Sequence, residues 1–166
     1  SDVCSSDLGI AKITRAEKED LDGINNLLRQ VLRVHNAGRP DLFKPDTKKY
    51  TDEQLLNIIQ DDSRPVFVAR DEQGSVMGYA FCVMQQHVDD NVLTDIKTLY
   101  IDDLCVDEKL RGQHVGRRIY EYVLGYAEKC GCYNVTLNVW ACNHNAIRFY
   151  ESCGLVPQKI GMEKIL

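Results

Sequence analysis

Apolar positions along this chain recur with two periods, two and 3.6, and the switches between them mark its elements. Ile10 to Thr14 alternates and predicts a strand. Glu17, Glu19 and Asp20 then crowd a helix start, where acids suit the dipole, and Leu21, Ile24, Leu27, Leu28, Val31 and Leu32 fall on one helical face. Gly38 ends that helix, and Arg39–Pro45 is a proline-punctuated loop. A second helix begins near Thr51 and carries Leu55, Leu56, Ile58 and Ile59. Val66–Ala69 and Val76–Val83 read as strands of a hairpin around the turn Asp71–Gly74. A polar link, Gln85 to Thr94, leads to an apolar, β-branched run at Leu99–Val106 that reads as a buried central strand. The next helix sets Val115, Ile119, Tyr122, Val123 and Tyr126 on one face and closes at Gly131. Val135, Leu137 and Val139 alternate as a strand. Asn143 suits an N-cap for a last helix whose stripe is Ala146, Phe149, Tyr150 and Cys153, with Gly154 as its stop. Leu155–Ile160 and Met162–Leu166 predict two closing strands.

These elements make one α/β domain of α+β type over residues 9–166: a mixed, mostly antiparallel sheet with helices on both faces. Residues 1–8 lack periodicity, do not resemble the rest of the chain, and are set aside as a non-native or disordered remnant.

Charge and cysteine usage narrow the function. A formal charge of −5 argues against a nucleic-acid partner, which calls for a basic face. No apolar run approaches the roughly 20 residues of a membrane span, and no hydrophobic leader opens the chain, so no membrane partner is expected and the cytoplasm is the default. The seven cysteines are odd in number and several sit inside apolar patterns, which reads as reduced core thiols. Cys130, Cys132, Cys142 and His144 match no common metal-ligand spacing, and no metal is expected.

The chemistry concentrates at Leu99–Arg117. A buried strand runs into the short, glycine-bearing, basic turn Arg111-Gly112-Gln113-His114-Val115-Gly116 and directly into a helix. Strand, tight turn and helix aim free N–H groups and a helix dipole at one spot, which suits phosphate or pyrophosphate. Arg111, Arg117 and Arg118 add positive charge. Such a turn also serves nucleotide-binding domains, and that rival predicts a response to ATP.

The turn resembles the Arg/Gln-x-x-Gly-x-Gly/Ala signature of the GNAT superfamily of acyl-CoA-dependent N-acetyltransferases, with His114 standing where the family usually has glycine. Asn143-His-Asn-Ala146-Ile-Arg-Phe149-Tyr150-Glu-Ser-Cys-Gly154-Leu155 resembles that family's second signature, Asn-x-x-Ala-x-x-Phe-Tyr-x-x-x-Gly-Phe, in the expected order. The resemblance implies a splayed sheet, acetyl-CoA as acyl donor, and direct attack by a primary amine in a ternary complex. By motif, Leu104, Cys105 and Val106 would hold pantetheine through the backbone, and Arg111, Gly112, Gln113, His114, Val115, Gly116 and Arg117 the pyrophosphate, with Asn143 facing the cofactor arm. Tyr150 matches the family tyrosine placed beside the leaving sulfur as general acid, although the same residue belongs to an apolar stripe. A GNAT-like module that senses acyl-CoA without turnover remains the alternative.

Asp102 and Asp103 are two acids in an otherwise apolar strand, and each needs compensation there. Tyr100-Ile-Asp-Asp-Leu-Cys-Val resembles the Leu-Glu-Asp-Phe/Leu stretch of polyamine acetyltransferases, whose acids bind and help deprotonate the amine. Simple alternation turns the two carboxylates to opposite faces, Asp102 toward the acceptor and Asp103 into a structural role, unless a bulge intervenes. His35, Asp41 and Phe43 lie in the segment that the resemblance sets over the acceptor cleft, though core packing for Phe43 and a helix end for His35 is the plainer reading. The acceptor, a small molecule or a peptide amine, stays undetermined, and a homodimer is left open.

Overall fold

In the computed structural model, which describes residues 9–110 and 114–166, five strands form one sheet in chain order. β1 (Lys12–Arg15), β2 (Val66–Arg70), β3 (Val76–Gln86) and β4 (Lys97–Val106) are antiparallel neighbours, and β5 (Asn134–Leu137) pairs parallel with β4. Two layers of helix cover the sheet, as expected of a chain whose helices carry one apolar face each. On one side α1 (Leu21–Gly38) and α2 (Asp52–Ile59) bury Ile24, Leu27, Leu28, Leu55 and Ile58 against Val66, Val68, Tyr79, Phe81 and Cys105. On the other, α3 (Val115–Lys129) buries Val115, Ile119, Tyr120, Val123 and Ala127 against Phe67, Ala80, Cys82, Leu99 and Ile101, and α4 (His144–Ser152) adds Phe149, with Cys153 just past its end.

Local chemistry accounts for the element ends. Thr51 and Gln54 form a reciprocal capping box, each side chain bonding the other's backbone N–H at 3.2 and 2.9 Å, which starts α2 where the sequence places it. Asn143 caps α4 by accepting from the Ala146 N–H at 3.2 Å. Gly131 and Gly154 stand at positive φ just past their helices, the left-handed step that lets each chain turn away.

Three expectations need correction. The strand read through Val139 ends at Leu137, where its pairing with β4 stops. Residues 155–166 form no strand, so the two closing strands are absent and the sheet ends at β5. A period-two pattern needs a neighbouring strand before it becomes a strand, and this segment has none. On α3, Tyr120 is buried instead of Tyr122, which is 40% exposed and touches Phe67 edge-on. Tyr120 joins Val123 and Ala127 at helical spacing, and these with Val115 and Ile119 make up the buried arc of that helix.

Two irregularities in β4 position the site. Phe81 pairs with Asp103 and Cys82 with Ile101, so Asp102 is an extra residue with no partner on β3. This bulge inverts the facing of everything after it. Leu99 and Ile101 point to the α3 layer, whereas Cys105 points to the α1 layer. Pairing with β5 ends in the same place, at Ile101–Leu137, so from Asp102 to Val106 the strand keeps β3 on one side while β5 has stopped. The sheet opens there, as the splay expectation required.

Candidate active site

The bulge brings both acids of β4 to one face. Asp103 accepts a hydrogen bond from Tyr79 Oη at 2.6 Å, and Tyr79 is fully buried beneath α1. Asp102 accepts from Lys49 Nζ at 2.7 Å and from Tyr50 Oη at 3.4 Å, both from the segment between α1 and α2. Lys49 also lies 5.3 Å from the centre of the Tyr50 ring. The expectation that alternation separates the two carboxylates is therefore corrected: the extra residue cancels the alternation.

Their environments differ. Burial pushes the Asp103 carboxyl up to about 6, against the downward pull of the Tyr79 hydroxyl and the Lys49 charge. Burial also pulls Lys49 down, but its hydrogen bond to Asp102 and that carboxylate's charge outweigh it and hold the ammonium above its ordinary value. Asp102 and Lys49 thus form a closed ion pair, while Asp103 is a carboxyl whose protonation changes near physiological pH.

Tyr150 lies on α4 with its ring 5.2 Å from that of Phe149. Burial raises its hydroxyl well above the ordinary value, and the nearby carboxylate of Asp103 acts in the same direction. The group stays protonated across the physiological range and is a donor. Cys105 is buried with its thiol toward the Leu27 carbonyl, which makes it a packing residue.

Beside the opening of the sheet lies the N-terminus of α3. His114 adopts a left-handed conformation, φ 62° and ψ 13°, and its imidazole makes no capping bond to the helix. The first turn of α3 contains no acid, so its dipole is uncompensated by charge of its own. Gly116 sits tightly in the wall: a Cβ there would lie 3.3 Å from Val106 and 3.5 Å from Phe149. Arg117 reaches the Ser152 carbonyl at 3.3 Å and Glu121 at 3.7 Å. Arg111, Gly112 and Gln113 lie outside the described residues.

A cavity of about 540 Å³ opens between the end of α1 and the start of α4. Phe43 and Trp140 form one aromatic wall, 5.4 Å apart edge-on, and His35 packs on Phe43 at 4.9 Å. Arg39, His144, Asn145 and Arg148 supply polar lining, and Asn143 stands at its edge. His35 is kept below its ordinary value by burial and by Lys49, so the ring is neutral near pH 7. Asp41 is not in the lining; it pairs with Arg39 at 2.8 Å on the surface. Phe43 and His35, for which packing was the plainer reading, are wall residues of this cavity.

Among the sequence candidates, the bulge sets Asp102 and Asp103 on one face where β5 has stopped, Tyr150 is near enough to Asp103 for that charge to raise its hydroxyl, and Gly116 packs against Val106. Lys49, Tyr50, Tyr79 and Trp140 were missed. Tyr79 could have been found as the inward residue of a strand paired with one bearing buried acids. Lys49, in a loop 53 residues from Asp102, carried no local signal. No cluster of three or more His, Cys, Asp or Glu able to hold a metal occurs among the described residues. None of their helices is long and apolar enough to cross a membrane.

The geometry can be set beside known proteins. Residues 31–155 match the model of the acetyltransferase (GNAT) family. The chain is 27% identical over 120 residues to glucosamine 6-phosphate N-acetyltransferase of Arabidopsis thaliana, covering 72% of this chain and 70% of that protein. A crystal structure of a mutant BH1408 protein from Bacillus halodurans superposes with a TM-score of 0.89 at 30% identity, over 93% of this chain and 99% of that one. The crystal structure of the Arabidopsis glucosamine-6-phosphate enzyme gives 0.68 at 24% identity, over 93% of this chain and 97% of that one, a likeness of fold.

Proposed function

The chain belongs to the acetyltransferase (GNAT) family, enzymes that transfer an acetyl group to an amine, and from that premise we propose which of its residues act and on what kind of amine. The acyl donor is acetyl-CoA. Its pantetheine enters the gap where β5 stops and β4 continues, against the backbone of Leu104–Val106. Its pyrophosphate takes the N-terminus of α3 behind His114. The fit rests on three features: a strand flank without a strand partner, a helix start with no acid of its own, and a glycine at 116 where a Cβ would press on both walls.

Asp103 accepts the proton of the amine, directly or through a water, and Tyr79 holds its carboxylate in place. Tyr150 faces the departing sulfur. A thiol titrates near 8.5, so a thiolate is too weak a base to strip a hydroxyl held above 10. Tyr150 therefore stabilises the sulfur by donating a hydrogen bond, without full proton transfer. Asp102 is already held by Lys49 and acts as the anchor of the α1–α2 segment over the site.

The observation that carries this reading is the β4 bulge, which sets Asp103 beside Asp102 where β5 has stopped and within 2.6 Å of Tyr79 Oη; burial there raises its carboxyl to about 6. That carboxyl also selects the acceptor. A simple alkylamine titrates near 10.4, so its proton would move uphill by roughly 4 units, about 6 kcal/mol. An amine weakened by neighbouring electron-withdrawing groups titrates nearer 8, as α-amino groups do, and the gap falls to roughly 2 units, about 3 kcal/mol. Asp103 suits the second class, and the other carboxylate of that face, Asp102, is already paired with Lys49. The aromatic and basic lining of the adjacent cavity fits a small polar acceptor such as an amino sugar or its phosphate. The related Arabidopsis protein is named for such a compound.

Release of CoA thiol from acetyl-CoA, measured with glucosamine 6-phosphate, glucosamine, spermidine, a lysine peptide and a peptide with a free N-terminus, tests the proposal. Turnover should favour the amino sugars. Preference for spermidine, or CoA binding with no turnover on any amine, would overturn it.

A further inference from the structure

Lys49 ends in an alkylammonium, the same cation that a diamine or polyamine would bring, and the chain seats it beside the acids of β4. Its Nζ donates to Asp102 Oδ2 at 2.7 Å and lies over the Tyr50 ring, 5.3 Å from its centre. The Tyr50 hydroxyl donates to the same carboxylate oxygen at 3.4 Å. Asp103 is near enough for its charge to act on the ammonium as well. Two carboxylates and the face of an aromatic ring are what a site for an amine cation is made of. The seat is built on the sheet. Asp102 is the extra residue of the β4 bulge, and the Tyr50 ring stacks at 5.8 Å on Phe81 of β3, which meets Tyr79 edge-on at 4.8 Å.

Lys49 is delivered to that seat by a segment with other holds. Lys48 Nζ donates to Asp52 at 2.5 Å and to Asn25 at 3.2 Å, which ties the preceding residue to α2 and α1. Thr51, two residues on, opens α2 with its capping box. The pair with Asp102 is thus one hold on this segment among several. The Lys49 side chain is 48% exposed and that of Asp102 28%, and an ion pair so open to water adds little stability. Its effect on ligands is larger. A tethered ammonium competes with a free one at an effective concentration on the order of millimolar, so a dissolved amine meets Asp102 already taken.

We propose that Lys49 is a specificity-determining residue that excludes diamines and polyamines: its ammonium fills, from within the chain, the seat on Asp102 that the non-reacting ammonium of such an acceptor would take. The catalytic side of this inference rests on the transfer at Asp103 proposed for the site; the binding side rests on the Asp102 seat alone. With the Lys49 charge removed, one ammonium of a polyamine pairs with Asp102 over the Tyr50 ring. A second amine of the same molecule gives a proton to Asp103 and attacks the acetyl carbonyl. The C–N bond forms and the C–S bond breaks, the nitrogen's next proton goes to the departing sulfur, and Asp103 returns the first to water. An amino sugar brings one amine and no second cation, so the occupied seat does not exclude it.

Steady-state kinetics with spermidine and with glucosamine 6-phosphate, on wild type, Lys49→Met, Lys49→Arg and the double variant Lys49→Met, Asp102→Asn, test the assignment. The ratio of kcat/KM for spermidine to that for the amino sugar should rise roughly five- to tenfold in Lys49→Met, chiefly through a lower KM for spermidine. Lys49→Arg restores a cation and should return the ratio to the wild-type value. The double variant removes the charge of the vacated seat and should lose the gain. A purely structural role would lower both substrates together; an unchanged ratio in Lys49→Met, a gain in Lys49→Arg, or a gain kept by the double variant would each overturn the proposal. Lys49 is half exposed, so Lys49→Met should keep its circular dichroism, and Lys49→Gln serves as a second uncharged variant. Binding is read without turnover: spermidine, with CoA present, should raise the melting temperature of Lys49→Met more than that of wild type. If no protein acetylates any amine, the catalytic reading falls, while the larger spermidine shift still supports the seat; equal shifts would overturn it.

Discussion

Asp103 and Tyr79 set the chemistry at the scale of single residues. An aspartate near 6 in the folded chain and near 3.9 unfolded binds its proton more tightly when folded. Its stabilising contribution is complete below about pH 4 and is lost as pH rises through about 6. Asp103→Asn keeps an acceptor for Tyr79 but has no charge to bury. At pH 8 it should therefore melt a few degrees above wild type while losing roughly 10²–10⁴-fold in kcat/KM, and the acidic limb of the pH profile near 6 should vanish. Thermal melts at pH 4, 6 and 8 beside the rate profile check this; equal activity in the variant would remove Asp103 from the mechanism. Tyr150→Phe should lower kcat by roughly 10²–10³-fold, the magnitude for losing one well-placed donor, and leave the CoA-induced rise in melting temperature nearly intact. Unchanged single-turnover rates would return Tyr150 to a packing role.

Among the elements, β4 and α3 matter most, and each depends on a close approach. Gly78 on β3 lies under α3, where a Cβ would stand 2.7 Å from Ile119 and 2.8 Å from the Cys105 carbonyl. The carbonyl cannot move without disturbing the end of β4 that faces the site. Gly78→Ala should cost about 1–3 kcal/mol, read as a lowered denaturant midpoint, and should weaken CoA binding because α3 is displaced from its seat. His114 shows the opposite case. Its left-handed backbone is one that glycine adopts freely and histidine tolerates better than most residues. His114→Gly should change stability by less than about 1 kcal/mol and keep CoA affinity within a few-fold. Loss of CoA binding in that variant would assign the affinity to the imidazole, making it a phosphate ligand in its own right.

The whole molecule is a sheet that opens between β4 and β5, and a donor that fills the opening adds contacts the sheet itself lacks there. Acetyl-CoA or CoA should raise the melting temperature in proportion to the logarithm of its concentration, because the site exists only in the folded chain. ATP lacks the pantetheine that occupies the gap and should raise it far less. Differential scanning fluorimetry with the three ligands distinguishes these outcomes, and equal stabilisation by ATP would mean that the helix N-terminus alone does the binding.

Local signals determined much of this protein from the sequence alone. The two periods located helices and strands, because each element buries one face against a layer whose position the chain order already implies. Thr51, Asn143 and Gly131 marked element ends, since caps are satisfied by neighbours in sequence. The two signatures, Arg111–Gly116 and Asn143–Leu155, pointed to the family through spacing alone. Tertiary structure decided what depends on distant partners. Asp102 and Asp103 share a face because β4 has one residue more than β3 opposite it, a mismatch invisible in either strand alone. Lys49 neutralises Asp102 because the α1–α2 segment folds across the sheet, and Tyr79 supports Asp103 because their strands pair in one register. Residues 155–166 carry a strand's pattern yet remain unpaired, since hydrogen bonds along a strand need a neighbour that the chain's own fold has directed elsewhere.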